Sequence, residues 1–495
     1  MGEIGEQPFP PGDYDVVVVG SGPGGLQVGH GLAALGVSHA VISADDEPAG
    51  MFRKWPIFQR LITWTTLDAP AEPDRREYER YDQNSLVADV PHLRGLVRRA
   101  MGRDSIFPSR AEMEAGLSAF VEQGGVRVRY GCRWEATRRE PDGRLTLETT
   151  DGDYGCRAAV FAVGVTEPWK ASIEGIDQVP HYAETREPSE YAGRRVLVVG
   201  KRNSGFEIAA ALLPWAREIV LVSPQPVRTK VLAQATVRAR YLQPLEVHGV
   251  GGGTFVVDAT IDRVEQTGNG TVVVHASGTT RPGPLRLEAD AAVVATGFRT
   301  PLRDLPELGV ETVAQNRIPA LTPYWESVSA PSVFFAGNAS QGAPELRKHG
   351  FSSGSTTLRG FRYSAQVLAR HLAERLGRPR ERTRLEREQV APLLAADLAN
   401  GPELWMQKGY LARAVTFADG IRDEGIVPLA HFVDEAGPNA AAACLETDPD
   451  GQVYPCLYLR EGGRLREEVL DPHPLNAFDG DEYRRSLALL LPRSG

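Results

Sequence analysis

Two short glycine-rich segments carry the most specific chemistry in this chain: Gly20-Ser21-Gly22-Pro23-Gly24-Gly25 and, 180 residues later, Gly200-Lys201-Arg202-Asn203-Ser204-Gly205. Each follows a four-residue apolar run, at 16–19 and 196–199, and each opens an Ala/Leu-rich stretch. Strand, glycine turn and helix in that order make a dinucleotide-binding turn. Glycine lets the main chain approach a pyrophosphate, and the helix start aims unpaired N–H groups and a partial positive charge at it. Two such turns imply two nucleotide sites, for which FAD with NAD(P)H is the usual pair. Gly20, Gly22 and Gly25 are the expected FAD diphosphate contacts. Gly200, Asn203, Ser204 and Gly205 are those of the nicotinamide dinucleotide.

Other residues fit the same chemistry. Arg228 and Lys230 lie just past the second strand of the later unit, which ends in Ser223 and not in an acid. A 2′-phosphate is attracted there, so NADPH is expected over NADH. Gly164 and Gly297 end apolar strands where main chain would pass a cofactor. Asn84, Arg347 and Lys348 are candidate catalytic groups on loops, and Arg299 follows Ala295-Thr296-Gly297-Phe298. No nearby acid is evident for these cations, which points to a substrate carboxylate held in arginine's bidentate manner, with an acidic amino acid such as aspartate as the first candidate. The ten histidines show no metal-ligand spacing, so no metal is expected. Cys132, Cys156, Cys444 and Cys456 form no CxxC or CxxxxC pair, which counts against a dithiol reductase.

These groups need a scaffold. A length of 495 residues allows two to four domains, and 42% apolar residues are enough for packed cores. The pattern predicts an α/β protein of two Rossmann-like dinucleotide-binding domains, the NAD(P) domain inserted in the FAD domain, plus a small C-terminal α+β region. The expected boundaries are 1–175 and 285–375 for the FAD domain, 185–284 for NAD(P)H, and 376–495 for the accessory region. A capping box at Ser109 and Glu112 opens a helix that stops at Gly124-Gly125. Short alternating runs are expected at 126–130 and 145–149, a helix at 355–376, and a hairpin at 441–459 around Asp448-Pro449-Asp450-Gly451. The stretch 44–105, rich in Pro, Arg and aromatics, reads as loops packed around a ligand. A net charge of −9 argues against nucleic acid. No apolar run reaches the roughly 18 residues of a membrane span, and no signal-peptide layout is seen, so a cytoplasmic protein without membrane partners, possibly a homo-oligomer, is expected.

The chain resembles the flavin-containing monooxygenase superfamily, which includes N-hydroxylating and Baeyer–Villiger enzymes, and above all the FAD-dependent oxidoreductase domain-containing proteins. Gln59-Arg60-Leu61-Ile62, Asn84-Ser85-Leu86, Asn203-Ser204 with Phe206-Glu207, and Arg347-Lys348 with Gly360-Phe361-Arg362-Tyr363 carry the likeness, over residues 14–375. It implies an NADPH-dependent single-component flavin monooxygenase acting through a C4a-(hydro)peroxyflavin on a small-molecule substrate and O2, with N-hydroxylation of a small amine or amino acid as the lead. The alternatives are an NADPH oxidoreductase without oxygen insertion and a flavin-binding partner protein. Gly337-Asn338 stands where related flavoproteins hold the ribityl chain with Gly-Asp. Ser43 replaces the usual acid after the second strand, leaving Asp45 or Asp46 for the ribose, and Arg202 replaces a turn glycine. The superfamily's Asn or Asp near the flavin has no counterpart within 63–66.

Overall fold

The computed structural model describes residues 7–227, 243–350 and 353–492. The chain divides into two units, Met1–Lys54 with Thr63–Val165 and Thr300–Gly495, and Trp55–Ile62 with Thr166–Arg299.

In the first unit the strand Gly12–Val19 lies parallel between His39–Ile42 and Gly152–Phe161. Val333–Phe335 also pairs parallel with Gly152–Phe161, while Leu145–Thr149 and Trp134–Arg139 extend the sheet antiparallel. Val16, Val17 and Val18 have no exposed surface, as a strand covered on both faces requires. The helix Pro23–Ala34 starts with proline, whose missing N–H is harmless in a first turn. It packs closely on the helix Leu358–Arg375: a Cβ added at Gly31 would stand 2.8 Å from that of Ala369. The helix Arg110–Gln123 carries the expected capping box, with Glu112 N donating to Ser109 Oγ at 3.2 Å and Ser109 N to Glu112 Oε2 at 2.6 Å. The run 126–130 forms no strand, only a bridge from Arg129 to Ile42.

The second unit holds a six-stranded sheet in the order Pro284–Ala289, Val272–Gly278, Thr254–Gln266, Glu218–Ser223, Arg195–Val199, Ala291–Val294. This moves the expected border at 284/285. Ala291–Val294 is the parallel neighbour of Arg195–Val199, so residues 285–299 complete the inserted domain and do not return to the first. Residues 55–62 also fold onto this core. Ile57 N donates to Tyr182 Oη at 3.3 Å, and Tyr182 Oη donates to Glu207 Oε2 at 2.9 Å. Trp55, partly buried, packs against this core with its ring 5.4 Å from those of both Tyr182 and Phe298.

Residues 376–495, expected as a separate region, belong to the first unit. Their five-stranded antiparallel sheet runs Arg422–Pro428, Leu411–Thr416, Ala440–Thr447, Val453–Glu461, Arg464–Val469, and includes the expected hairpin. Polar ties hold it in place: Trp325 Nε1 donates to Tyr410 Oη at 2.8 Å, Arg80 Nη1 to the Ala399 carbonyl at 2.6 Å, and Arg76 to Glu403. Among the described residues, no helix is long and apolar enough to cross a membrane.

Candidate functional site

The first glycine turn has the shape its sequence promised. Gly20 sits at φ +113°, and a Cβ there would lie 2.6 Å from the Ala162 carbonyl. A Cβ at Gly25 would come within 1.9 Å of the Gly20 carbonyl, and one at Gly24 within 2.5 Å of Gly337 Cα. The turn and the residue before Asn338 are therefore in main-chain contact. Gly22 is different: nothing lies within 4 Å of its added Cβ, so open space faces the turn. The helix that starts here has no side-chain cap, leaving its first N–H groups free for an anion. Asn338 Oδ1 is buried without a hydrogen-bond partner among the described residues. An orphaned acceptor beside an open, uncapped turn fits the hydroxyl-bearing chain and diphosphate of FAD.

Ser43 does not take the acid's place directly. Its Oγ lies 2.8 Å from Ser21 Oγ and accepts from Asp45 N at 3.2 Å, turning the chain so that Asp45 follows closely. Asp45 Oδ2 stands 3.8 Å from where a Gly50 Cβ would be, and that position is 3.0 Å from Gly22 Cα. Asp45 thus borders the turn, while Asp46 is exposed.

In the second turn, Gly205 is needed because its Cβ would meet the Gly200 carbonyl at 2.2 Å. Arg202 is the exposed residue preceding the helix Asn203–Leu212, which again has no side-chain cap. Its side chain therefore leaves the glycine backbone unobstructed. Lys201 is buried, pairs with Asp258 and donates to the Val257 carbonyl at 2.9 Å. Burial works against ionisation of Asp258, yet bonds from Lys201 and Thr280 hold its carboxyl below the ordinary range. This brace between turn and sheet was not anticipated. Gly164 and Gly297 have positive φ values, as chain-reversing glycines after strands would. Arg228 and Lys230 lie outside the described residues.

The cations expected to hold a substrate carboxylate are already paired. Arg299 Nε is 3.0 Å from Glu167 Oε2 in an exposed two-stranded pair. Arg347 Nε is 2.8 Å from Glu345 Oε2, and Lys348 pairs with Glu467 and, at 3.7 Å, with Glu446. Glu167 and Glu467 reach Arg299 and Lys348 from distant strands, whereas Glu345 stands two residues before Arg347 and is visible in the sequence as its partner. The premise of unpartnered cations at these three positions is corrected.

Asn84 fares otherwise. It has no exposed surface; its Oδ1 accepts from Thr63 Oγ1 at 2.5 Å and its Nδ2 donates to Thr65 Oγ1 at 2.9 Å. The segment 63–66, which lacks an asparagine of its own, receives one from residue 84. Asp82 makes the turn that delivers it: Oδ1 accepts from the main-chain N–H of Asn84 at 2.9 Å and of Ser85 at 3.1 Å. Arg362, fully buried, clamps this loop by donating to the carbonyls of Glu79, Asp82 and Ser85. Asp82, Thr63 and Thr65 were missed; the Asp-x-Asn-Ser spacing was their one legible sign. Among the described residues no cluster could hold a metal ion.

The family model described as pyridine nucleotide-disulphide oxidoreductase matches residues 17–337. The chain belongs to that family. The FAD-dependent oxidoreductase domain-containing protein 2 of Danio rerio is 26% identical over 420 residues, covering 73% of this chain and 59% of that protein, so the match spans about three-fifths of the relative's length. A ferredoxin–NADP reductase of Salinispora tropica is 27% identical over 355 residues, covering 70% of this chain and 92% of that protein. Among solved structures, a bacillithiol disulfide reductase from Bacillus cereus aligns at TM-score 0.55 and 20% identity, over 74% of this chain and all of that one. A flavin-containing monooxygenase from Stenotrophomonas maltophilia aligns at 0.52 and 20%, over 74% and 99%. These two show the fold: two dinucleotide-binding domains. The family and the shared fold are those of FAD- and NADP-dependent oxidoreductases.

Proposed function

We propose that this family member is an NADPH-dependent monooxygenase that N-hydroxylates a small amine. The observation that carries this reading is Asn84, whose buried amide is fixed between Thr63 and Thr65 at the segment where related monooxygenases place an Asn or Asp. Asn84 has no exposed surface, so it would act by orienting the partly exposed Thr63 hydroxyl and not by direct contact with a ligand. FAD would lie along Gly20, Gly22 and Gly25, with Asp45 at the ribose and Asn338 on the ribityl chain; NADPH would lie along Gly200, Asn203, Ser204 and Gly205, with Arg228 and Lys230 at its 2′-phosphate. Gly164, Gly297 and Gly337 shape the main chain around these positions. Bound FAD supplies hydride acceptance from NADPH and electron delivery to O2. In balance, one oxygen atom enters the N–H bond of the amine and the other leaves as water, while NADPH and a proton are consumed.

A thiol–disulfide reaction is poorly served by the cysteines. All four are buried, and burial raises the Cys132 thiol and pushes that of Cys156 up to about 12, far from a reactive thiolate. The test is a substrate screen on FAD-loaded protein that scores NADPH consumed against oxygenated product. Product in near-equal amount to NADPH supports the reading. NADPH oxidation with no oxygen in any product makes the protein a reductase, and a colourless chain inert to NADPH makes it a binding protein.

A further inference from the structure

Three cations that lie near one another in the first unit have no ion-pair partner among the described residues. Arg80 comes from the short turn Arg76–Tyr81, Arg359 from the first turn of Leu358–Arg375, and Lys408 from just beyond Pro402–Met406. Arg80 lies over the Trp405 ring, 3.9 Å from its centroid, and Lys408 Nζ lies 5.1 Å from the same ring. Arg80 donates to the Ala399 carbonyl and Lys408 to that of Trp405, at 2.6 Å each. Arg359 Nε is buried with no partner at all among the described residues. No described carboxylate forms an ion pair with any of the three; the charges acting on Lys408 are those of Arg359 and Arg80. Burial first, then these two cations, push the Lys408 ammonium down to about 7. Next to it, Gln407 is fully buried and its Oε1 meets no donor among the described residues.

All three residues are partly exposed, so an anion can reach them, and the cost of holding unpaired cations partly out of water falls when it does. Their place in the fold is suited to a ligand. Leu358–Arg375 packs beside Pro23–Ala34, and both follow parallel strands of one sheet, so the first turn of each lies at the carboxyl edge, where open α/β sheets bind ligands. We infer that Arg80, Arg359 and Lys408, gathered beside the Trp405 ring, form a binding site for a small organic carboxylate. The carboxylate's role as substrate rests on the monooxygenase reading; its binding does not.

The test is calorimetric titration of the FAD-loaded protein with succinate, L-aspartate, benzoate and inorganic phosphate, without NADPH. At least one carboxylate should bind more tightly than phosphate, and Arg359→Met or Lys408→Met should weaken it about ten- to a hundredfold. Neither variant should melt below the parent, since each removes an uncompensated charge; a structural role predicts a lower melting temperature. The inference is overturned if no carboxylate binds, if phosphate binds tighter, if the variants bind like the parent, or if only FAD-free protein binds. Carboxylate binding with no oxygenated product would fail the monooxygenase reading alone. Oxygenated neutral amines with no carboxylate binding would fail this site alone.

Discussion

Replacing Glu79 by glutamine should remove a proton-linked slope from the stability of the first unit. Glu79 is buried, accepts from Tyr363 Oη at 2.9 Å, and has Arg94 3.6 Å away. Burial outweighs the pull of Arg362 and pushes its carboxyl up to about 7, against 4.5 ordinarily. The folded state thus binds this proton more tightly than the unfolded chain. Its stabilising contribution is complete below pH 4.5 and is lost as pH rises through 7. At about 1.36 kcal/mol per pH unit, the loss is on the order of 3 kcal/mol. His371 works in the opposite sense. Burial pushes it down to about 4, so its contribution is lost as pH falls from its ordinary 6.5, and the two slopes oppose one another in the parent. Glu79→Gln keeps an acceptor for Tyr363 and leaves His371 alone. Urea midpoints, read from release of flavin fluorescence, should show the variant gaining on the parent by on the order of 3 kcal/mol between pH 4.5 and 7.5. A variant-to-parent difference independent of pH would refute the reasoning.

Gly22→Val should fold normally, since nothing lies within 4 Å of its Cβ, but should lose flavin colour on purification because the side chain occupies the phosphate position; a fully yellow variant contradicts the assignment. Asn84→Ala should leave NADPH-driven flavin reduction near the parent rate while oxygenated product falls about a hundredfold and hydrogen peroxide rises, as measured by product and peroxide assays; unchanged coupling contradicts the role. Arg228→Ala should raise the KM for NADPH roughly ten- to a hundredfold with little change for NADH, and equal use of both coenzymes by the parent would contradict it.

Local signals were legible where one segment decides the outcome. The two glycine turns, the Ser109 capping box and the 441–459 hairpin each follow from short-range backbone chemistry. What was illegible depended on distant partners. Nothing near Lys348 in sequence announces Glu467, and nothing in 63–66 announces that Asn84 will fill it. The 285–299 border was misplaced for the same reason: an apolar run fits either sheet, and only pairing with Arg195–Val199 settles which. Arg80, Arg359 and Lys408 are far apart in sequence and meet only through the turn at 76–81 and the helix at 402–406.

The most direct measurement is to mix the purified protein with NADPH in the absence of oxygen and record the visible flavin absorbance. Bound FAD should be present, should bleach faster with NADPH than with NADH, and should regain its colour when O2 is admitted. A protein that carries no flavin, or whose flavin keeps its colour with NADPH, contradicts the account.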